Sequence, residues 1–317
     1  MKRHVVPALI ALLSLVVAGA TFAAEPTQWK TLPENGVITE PGHYRLTEDL
    51  LVDRNPGLQI QADGVTIDFG GHAFRFTGTP KSGINGIVAS GRSNLTICNG
   101  SLGGFWFNVH STDCQGLRIH NVKFDDIPYI GINASKAKDM VISDNEFTNY
   151  RYDIPKGGKD HYIIAINTGP EDAIICNNLF DAQTKPGTGN TLEMETVFVL
   201  FSSEVSKNCV VVHNEMKANE VLNRGYAIWI ATGAEAIVAN NTVSNMQYGV
   251  CLGGAASAVV CFNDFSVDEP KGGKILETYG VSATGAKLFK EFNNELRGFS
   301  IPVNGPQTPA AEQVGAK

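Results

Sequence analysis

The amino-acid sequence predicts an all-β chain that coils into a right-handed parallel β-helix of about nine rungs with an N-terminal cap. Three observations predict this fold. A short phrase recurs along the chain, a second phrase recurs between its copies, and no helical periodicity separates them. The first phrase is clearest at residues 138–150, KDMVISDNEFTNY, where alternating apolar residues precede a polar step, an Asn and another apolar residue. Its nine copies begin at Gly64, Asn94, Gln115, Lys138, Glu171, Lys207, Ala234, Ala256 and Gly285.

The second phrase gives each repeat another short strand. It reads YIGINA, YIIAIN, YAIWIA, YGVCLG and YGVSAT, and begins at Tyr129, Tyr162, Tyr226, Tyr248 and Tyr279. Strands that repeat in one direction, with polar turns between them, stack as parallel sheets whose apolar side chains no single rung can bury. We therefore expect Ile142, Ile175, Val211 and Val238 to be buried as stacked equivalents.

An asparagine occupies the same slot in six copies of the first phrase, at Asn145, Asn178, Asn214, Asn241, Asn263 and Asn294. A column of side-chain amides can form hydrogen bonds along the coil as a ladder. Alternatively, Asn is placed there because it tolerates the left-handed backbone of a turn. Both interpretations are structural, and neither assigns these residues a function.

The N-terminus carries the pattern of a secretory signal. Lys2 and Arg3 precede an apolar run that is too short for a membrane span, and Thr21-Phe22-Ala23 offers a small-residue cleavage site. We predict a signal peptide at residues 1–23, with cleavage near Ala23, and a secreted or periplasmic protein. Loss of the two positive charges takes the formal net charge from −7 to −9.

The remaining chain is predicted to be one repeat domain. Residues 24–63 would form the N-terminal cap and first rung, residues 64–301 the parallel β-helix, and residues 302–317, which carry three prolines, a disordered tail. The acidic balance argues against nucleic acid as a partner, and no membrane span is predicted. The sequence does not predict an oligomeric state. The six cysteines are either disulfide-bonded or buried as free thiols.

Four connections between strands are longer than the others: residues 148–161, 181–196, 217–225 and 266–278. All four leave the coil at the same corner, and insertions on one face of a solenoid usually mark its binding face. Two of them share the pattern DxPKGGK, at residues 153–159 and 268–274. Lysines on such loops either clasp an acidic polymer or are merely solvated, and the second interpretation is the more ordinary one.

The corner combines carboxylates, cations and aromatic side chains, a mixture that suits carbohydrate. A polysaccharide is therefore the predicted partner. The predicted substrate-binding residues are Arg151, Tyr152, Lys156, Tyr226, Trp229, Lys271 and Lys274.

Residues 36–300 resemble the right-handed parallel β-helix superfamily, which includes pectate lyases, polygalacturonases, alginate epimerases and NosD-like repeat proteins. GVTIDFGGHAF from Gly64 carries the resemblance, with GHYRLTEDLLV before it and SNLTICNGSL after it. The polygalacturonase motifs NTD, DD, GHG and RIK are missing. The outward positions that correspond to the calcium and arginine cluster of pectate lyases are predicted to be Gly131, Ala165, Trp229 and Cys251, so that site is absent. No metal or other cofactor is predicted; Ca²⁺ stays open, without an identified ligand cluster.

Two hypotheses follow. In the first, the protein cleaves or epimerises an exported, acidic polysaccharide. A lyase or epimerase would use His161 as base and Lys159 or Arg224 to stabilise the enolate. A hydrolase would pair Glu193 or Glu195 with Asp153 or Asp160, at a separation of roughly 5–9 Å. In the second hypothesis, the rod is non-catalytic and binds a glycan or a cell-envelope partner.

Overall fold

The structure, a computed structural model, describes residues 28–150, 162–183, 195–202, 206–268 and 277–305. Its elements are β1 (Lys30–Thr31), β2 (Val37–Ile38), β3 (Gly42–Arg45), β4 (Leu50–Val52), β5 (Leu58–Ile60), β6 (Val65–Asp68), β7 (Ala73–Phe76), β8 (Asn85–Ser90), β9 (Thr96–Gly103), β10 (Phe107–Thr112), β11 (Arg118–Ile127), β12 (Ile130–Ser143), β13 (Glu146–Tyr150), β14 (Tyr162–Cys176), β15 (Leu179–Ala182), β16 (Glu195–Phe201), β17 (Cys209–Val212), β18 (Glu215–Ile230), β19 (Glu235–Ala239), β20 (Thr242–Leu252), β21 (Ser257–Cys261), β22 (Asp264–Ser266), β23 (Tyr279–Ser282), β24 (Leu288–Phe292), β25 (Glu295–Arg297) and β26 (Ile301–Asn304).

The strands stack into three parallel sheets around one core, which confirms the predicted right-handed parallel β-helix. The first sheet follows the order β1-β3-β6-β9-β11-β12-β14-β17-β19-β21-β24 and holds the first phrase. The second follows β4-β7-β9-β11-β13-β15-β18-β20-β22-β25. The third follows β2-β5-β8-β10-β12-β14-β16-β18-β20-β23-β26 and holds the second phrase. At about 4.8 Å per layer, the eleven layers of the first sheet span roughly 48 Å.

The coil is longer at both ends than the phrase predicts. Strands β1 and β3 both lie in the segment predicted as cap and first rung, so two layers of the first sheet precede the Gly64 copy. At the other end, β26 pairs with β23, so the coil continues to Asn304 rather than ending at Ile301. The signal peptide at residues 1–23 lies outside the described residues.

The core is built from stacked equivalents. Ile142, Ile175, Val211 and Val238 are fully buried, as predicted. Phe124, Phe147 and Phe180 form a second inward column in the second sheet, with ring centroids 4.7 and 4.8 Å apart and planes within 5° of parallel. All six cysteines are free thiols, and five of them are buried.

The asparagine ladder is present at the first corner, where the chain passes from the first sheet to the second. Asn145 donates from both its backbone N–H and its side-chain Nδ2 to Oδ1 of Asn178, each at 3.0 Å. The same pair of bonds joins each asparagine to the next along the column, in the order Asn178, Asn214, Asn241, Asn263 and Asn294. The left-handed backbone belongs to the preceding residue in each rung, for example Asp144 at φ 57° and Asn177 at φ 56°.

Candidate functional site

The second corner, where the chain passes from the second sheet to the third, collects the long connections. Residues 148–161 join β13 to β14, residues 181–196 join β15 to β16, and residues 266–278 join β22 to β23. Each of these pairs links a strand of the second sheet to a strand of the third. The described strands on either side of these three connections meet along one edge of the rod, whereas most residues of the connections lie outside the described residues, so their position stays a prediction.

The fourth predicted connection, residues 217–225, is not a separate loop. Strand β18 runs without a break from Glu215 to Ile230. The ten residues from Lys217 to Tyr226 lie opposite only five residues of β20, from Ser244 to Tyr248, with two register shifts between them. Arg224 takes a left-handed φ of 58° in this stretch. The extra residues are therefore absorbed as bulges within a strand.

Ten of the fourteen predicted site residues lie outside the described residues: Arg151, Tyr152, Asp153, Lys156, Lys159, Asp160, His161, Glu193, Lys271 and Lys274. Their roles stay predictions. The other four, Glu195, Arg224, Tyr226 and Trp229, are described, and the structure brings them together on the outer side of the third sheet.

Glu195, the first residue of β16, forms an ion pair with Arg224, which lies within β18. Because Thr196 pairs with Gly225, Arg224 lies next to Glu195 on the adjacent strand. The Nε of Arg224 is 3.4 Å from Oε1 of Glu195, and the side chains are 52% and 15% exposed, respectively. The backbone N–H of Arg224 donates to Oε1 of Gln247 at 2.6 Å, and Nε2 of Gln247 donates to the carbonyl of Glu277 at 2.9 Å. These contacts fix the arginine backbone and leave half of its side chain to solvent.

Tyr226, Tyr248 and Tyr279 form a row along the rod, one residue on each successive strand. Their ring centroids are 4.6 and 5.1 Å apart, with interplanar angles of 5° and 0°. Trp229 stacks on Tyr226, with centroids 4.9 Å apart. The faces within the row are covered by neighbouring rings, so the row, which we call the tyrosine row, presents ring edges and hydroxyl groups.

The phenols of the tyrosine row are hydrogen-bond donors at neutral pH. Burial raises the pKa of Tyr226, and the nearby Glu195 carboxylate adds to the effect. Burial also raises the pKa of Tyr248. The hydroxyl of Tyr279 donates to Oε2 of Glu277 at 2.5 Å, and this bond is the main cause that raises its pKa to about 12. None of the three phenols is therefore a base near neutral pH.

The tyrosine row continues a second apolar cluster outside the coil. Ile130, Ile164 and Val197 point away from the main core yet are at most 5% exposed, because Phe107, Tyr129, Leu200, Tyr226 and Trp229 pack against them. The register Ile164–Val197–Tyr226 places these residues in one column. Trp229 and Tyr226 thus support this cluster as well as bordering the solvent.

The prediction that Gly131 and Ala165 face outward is wrong. Ala165 and Ile166 both lie in the main core, whereas Ile164 lies in the outer cluster. Two successive inward residues break the strict alternation of a flat strand. The residues in register with Trp229 are Leu200 on one side and Cys251 on the other. Within the described residues, no group of three or more His, Cys, Asp or Glu side chains is arranged to hold a metal ion.

Sequence reasoning used only Tyr226 of the row and missed Tyr248, Tyr279, Gln247 and Glu277. The signal for the two tyrosines was present, because both begin copies of the second phrase. The sequence did not show the register between the strands. In the structure, Tyr226, Tyr248 and Tyr279 share one register position, whereas Tyr129 lies one residue before Ile130, which occupies that position in its strand. Gln247 lies within β20 and Glu277 just before β23, and neither belongs to a repeated phrase, so the sequence carried no signal for them.

Comparison with known proteins identifies the architecture. The family model described as "Right handed beta helix region" matches residues 47–265. A mutant tailspike protein of the E. coli bacteriophage HK620, solved with a pentasaccharide, matches with a TM-score of 0.56 at 12% identity over 91% of this chain. This chain spans 53% of the tailspike's length. No curated protein matches the sequence.

Two other solved structures match less closely. An alginate lyase from Paenibacillus sp. strain FPU-7 matches with a TM-score of 0.43 at 14% identity, over 82% of this chain and 99% of its own. An endo-xylogalacturonan hydrolase from Aspergillus tubingensis matches with a TM-score of 0.42 at 13% identity, over 85% of each chain. At these identities the likeness concerns the fold. The described residues contain no helix that is long and apolar enough to span a membrane.

Proposed function

We propose that this chain, which belongs to the right-handed β-helix family, binds a polysaccharide along the edge formed by its second corner. The observation that carries the proposal is the tyrosine row, in which Tyr226, Tyr248 and Tyr279 hold three phenolic hydroxyl groups in line, with ring centroids 4.6 and 5.1 Å apart. The tailspike that shares this fold was solved with a bound pentasaccharide, which supports a glycan as the class of ligand.

The chemistry around the row suits hydroxyl-rich ligands. The hydroxyls of Tyr226 and Tyr248 can donate hydrogen bonds, and that of Tyr279, which donates to Glu277, can accept one. The carboxylates of Glu195 and Glu277 are further acceptors, and the half-exposed Arg224 is a further donor. Because the rings stack along the rod axis, the hydroxyl groups repeat in the direction in which an extended polymer would lie. Stacking and the outer cluster hold the rings in place before binding, which lowers the entropy cost of association.

Whether the polymer is acidic depends on the loops. Among the described residues of the edge, Arg224 is paired with Glu195 and so adds little net positive charge. The acidic-polymer hypothesis therefore rests on Lys156, Lys159, Lys271 and Lys274, which lie outside the described residues.

A catalytic role at the same edge is the second candidate, and the Glu195–Arg224 pair beside the phenolic donors favours it. A lyase or epimerase would need His161 as its base, because the phenols are protonated. A hydrolase would need a second carboxylate near Glu195. Glu277 lies three strands away, roughly 14 Å at 4.8 Å per strand, so Glu193, Asp153 or Asp160 would have to supply it.

The proposal includes export. The signal pattern of residues 1–23 supports a secreted or periplasmic location, with a mature N-terminus at or near Ala24. N-terminal sequencing of the protein recovered from the periplasm or medium tests this. Recovery of a cytosolic form with Met1 intact would contradict it.

The test of function is a panel of alginate, xylogalacturonan, α-1,3-glucan and dextran. Binding is measured by biolayer interferometry, and cleavage by the absorbance of unsaturated products and by reducing ends. We expect at least one polymer to bind, and Tyr248→Phe to weaken that binding. Product formation that His161→Ala or Glu195→Gln abolishes would make the protein an enzyme, and binding without products would make it a glycan-binding rod. If no polymer binds, the proposal fails.

A further inference from the structure

A group of ring side chains lies towards the N-terminal end of the third sheet, on its outer side and away from the tyrosine row. Trp106 stacks on Tyr129, with ring centroids 4.8 Å apart, and Phe107 meets Tyr129 edge-on at 5.7 Å. His110 packs against Phe107, with centroids 5.2 Å apart. All four side chains are partly exposed. We call these four residues the His110 cluster.

The polar atoms of the His110 cluster are accessible. Within the part of the chain that the structure describes, Nε1 of Trp106, the hydroxyl of Tyr129 and Nε2 of His110 have no hydrogen-bond partner. None of these three atoms is shut off from solvent, in contrast to Oδ1 of Asn167, which is buried and also lacks a partner. A ligand on this surface can therefore reach all three.

Two asparagines hold the imidazole of His110. His110, Asn133 and Asn167 occupy one register position on successive strands. Nδ2 of Asn167 donates to Oδ1 of Asn133 at 2.8 Å, and Nδ2 of Asn133 lies 2.9 Å from Nδ1 of His110. Because an amide nitrogen only donates, Nδ1 of His110 accepts this bond and carries no proton in the neutral ring. The proton of the neutral imidazole is therefore on Nε2, the accessible atom.

The direction of this chain of hydrogen bonds follows from where it ends. The next residue in register after Asn167 is Leu200, whose side chain offers no polar atom. With the amides as they stand, the chain ends on one buried carbonyl oxygen without a partner. Turning both amides over would instead leave a buried NH2 group without one, and unpaired buried N–H groups are rarer than unpaired carbonyl oxygens. The Nε2–H tautomer of His110 is thus the one that the chain supports.

The donors of the His110 cluster are uncharged. Burial lowers the pKa of His110, and no charged side chain of the described residues adds to the shift or opposes it. The imidazole is therefore neutral at neutral pH, and protonation would place an N–H on Nδ1 against the N–H of Asn133. Neutral donors without a nearby cation suit the hydroxyl and ring oxygens of an uncharged sugar better than a carboxylate.

The His110 cluster lies in line with the tyrosine row. One register position on five successive strands joins them, and it is held by Phe107, Ile130, Ile164, Val197 and Tyr226. Tyr226 is therefore four strands from Phe107, roughly 19 Å at about 4.8 Å per strand. An extended oligosaccharide that lies along the rod axis can contact both regions, whereas a disaccharide is too short to do so.

We propose that the His110 cluster is a second binding region for the polysaccharide, in which His110 Nε2–H, Trp106 Nε1–H and the Tyr129 hydroxyl bind the oxygen atoms of an uncharged sugar unit. The inference rests on the proposed function, because it takes the ligand to be the same polymer. Asn133 is a positioning residue, since it acts through His110 by fixing which ring nitrogen carries the proton.

The test uses Asn133→Asp, which keeps the shape of the side chain and reverses its hydrogen bond to the imidazole. A carboxylate only accepts, so Nδ1 of His110 must donate to it, and the neutral ring then has no proton on Nε2. Long-range proton–nitrogen NMR of the histidine rings should show the Nε2–H tautomer in the unaltered protein and the Nδ1–H tautomer in the variant. Both spectra are recorded in buffer that is alkaline enough for a neutral ring in both proteins.

Affinity is measured by calorimetry in the same buffer, with octasaccharides of α-1,3-glucan and dextran, which are uncharged, and of alginate and xylogalacturonan, which are acidic. Loss of one neutral donor in Asn133→Asp should weaken the binding of an uncharged octasaccharide by about two- to tenfold. Trp106→Phe keeps a ring on Tyr129 and removes Nε1–H, so its effect should be of the same size. Asn121→Asp is the matched control, because Asn121 makes an exposed amide bond to Asn99 at the first corner, and its change should leave affinity intact.

The outcomes separate the His110 cluster from the proposed function. An Nδ1–H tautomer in the unaltered protein, or unchanged affinity of Asn133→Asp for uncharged octasaccharides, refutes the cluster while the proposed function stands. If Asn133→Asp does not fold, the tautomer of the unaltered protein and the affinity of Trp106→Phe decide. If only acidic octasaccharides bind, the uncharged sugar unit is refuted. If no octasaccharide binds the unaltered protein, the proposed function fails and the cluster fails with it.

Discussion

Replacing Tyr248 by phenylalanine separates the two ways in which the tyrosine row can hold a sugar. The ring of Tyr248 lies between Tyr226 and Tyr279, with centroids 4.6 and 5.1 Å away and nearly parallel planes. Phenylalanine keeps both stacked contacts and removes only the hydroxyl. We expect the free energy of unfolding to change by no more than about 0.5 kcal/mol, as for other substitutions that break no buried contact.

Affinity should respond differently. If the hydroxyl bonds the ligand, its loss weakens binding by about two- to tenfold, which corresponds to one neutral hydrogen bond. Tyr248→Ala removes the ring as well. Two stacked aromatic pairs are lost, each contributing about 0.5–1.5 kcal/mol, so unfolding should become easier by about 1–3 kcal/mol.

The assay measures urea denaturation and glycan binding on the same preparations. Tyr44→Phe is the control, because the Tyr44 hydroxyl donates to the carbonyl of Glu40 at 2.9 Å near the N-terminal end, far from the row. It should lower stability by about 0.5–1.5 kcal/mol and leave affinity intact. If Tyr248→Phe binds the glycan with unchanged affinity while Tyr248→Ala does not, ring faces hold the sugar and the reasoning from hydroxyl groups is refuted.

Three further predictions concern the scaffold and the ion pair. Asn214→Ala leaves the backbone N–H and Nδ2 of Asn178 without their acceptor, so the free energy of unfolding should fall by about 2–4 kcal/mol in urea denaturation; a loss below about 0.5 kcal/mol would contradict the ladder. Burial raises the pKa of Cys98 and Cys209 from 9.0 to about 12, so the folded protein keeps protons that the unfolded chain releases; stability should fall as pH rises from 9 towards 12, and a flat profile would refute this. Glu195→Gln should lower glycan affinity but shift stability by about 1 kcal/mol or less, because its arginine partner is half exposed; a larger loss by thermal denaturation would make the pair structural.

The sequence predicts the inside of the coil well because stacking repeats the same requirement in every rung. Ile142 and Ile175 occupy equivalent buried positions, and Asn145 and Asn178 bond to each other as the ladder hypothesis requires. The left-handed backbone of the alternative explanation also occurs, but at the residue before each ladder asparagine. At Phe262 the left-handed φ of 57° falls on a bulky residue, which shows that the ladder position specifies the turn more strictly than its neighbour does.

The outside of the coil is harder to predict because register, rather than periodicity, decides which side chains meet. Strict alternation placed Ala165 on the surface, whereas the strand turns two successive residues inward at Ala165 and Ile166. The extra residues before Tyr226 read as a loop, yet β18 absorbs them as bulges and brings Arg224 beside Glu195. Neither outcome could be derived from the spacing of apolar residues. Residues 163–166 are all apolar and so do not mark where the alternation breaks, and the extra residues of β18 look the same in the sequence whether they form a loop or bulges.

If the tyrosine row binds a polysaccharide as proposed, the outer cluster contributes by ordering its rings before the ligand arrives. A lone tyrosine on a sheet surface has two free torsion angles and must lose them to bind. Tyr226 is instead held between Tyr248 and Trp229, and both Tyr226 and Trp229 pack on the buried column of Ile164 and Val197. The conformational entropy of these side chains is therefore lost during folding rather than on binding, and the strand spacing sets the distance between their hydroxyl groups. A ligand that repeats its own hydroxyl groups along a chain gains from such spacing, whereas a compact ligand does not, which favours a polymer as the partner of this edge.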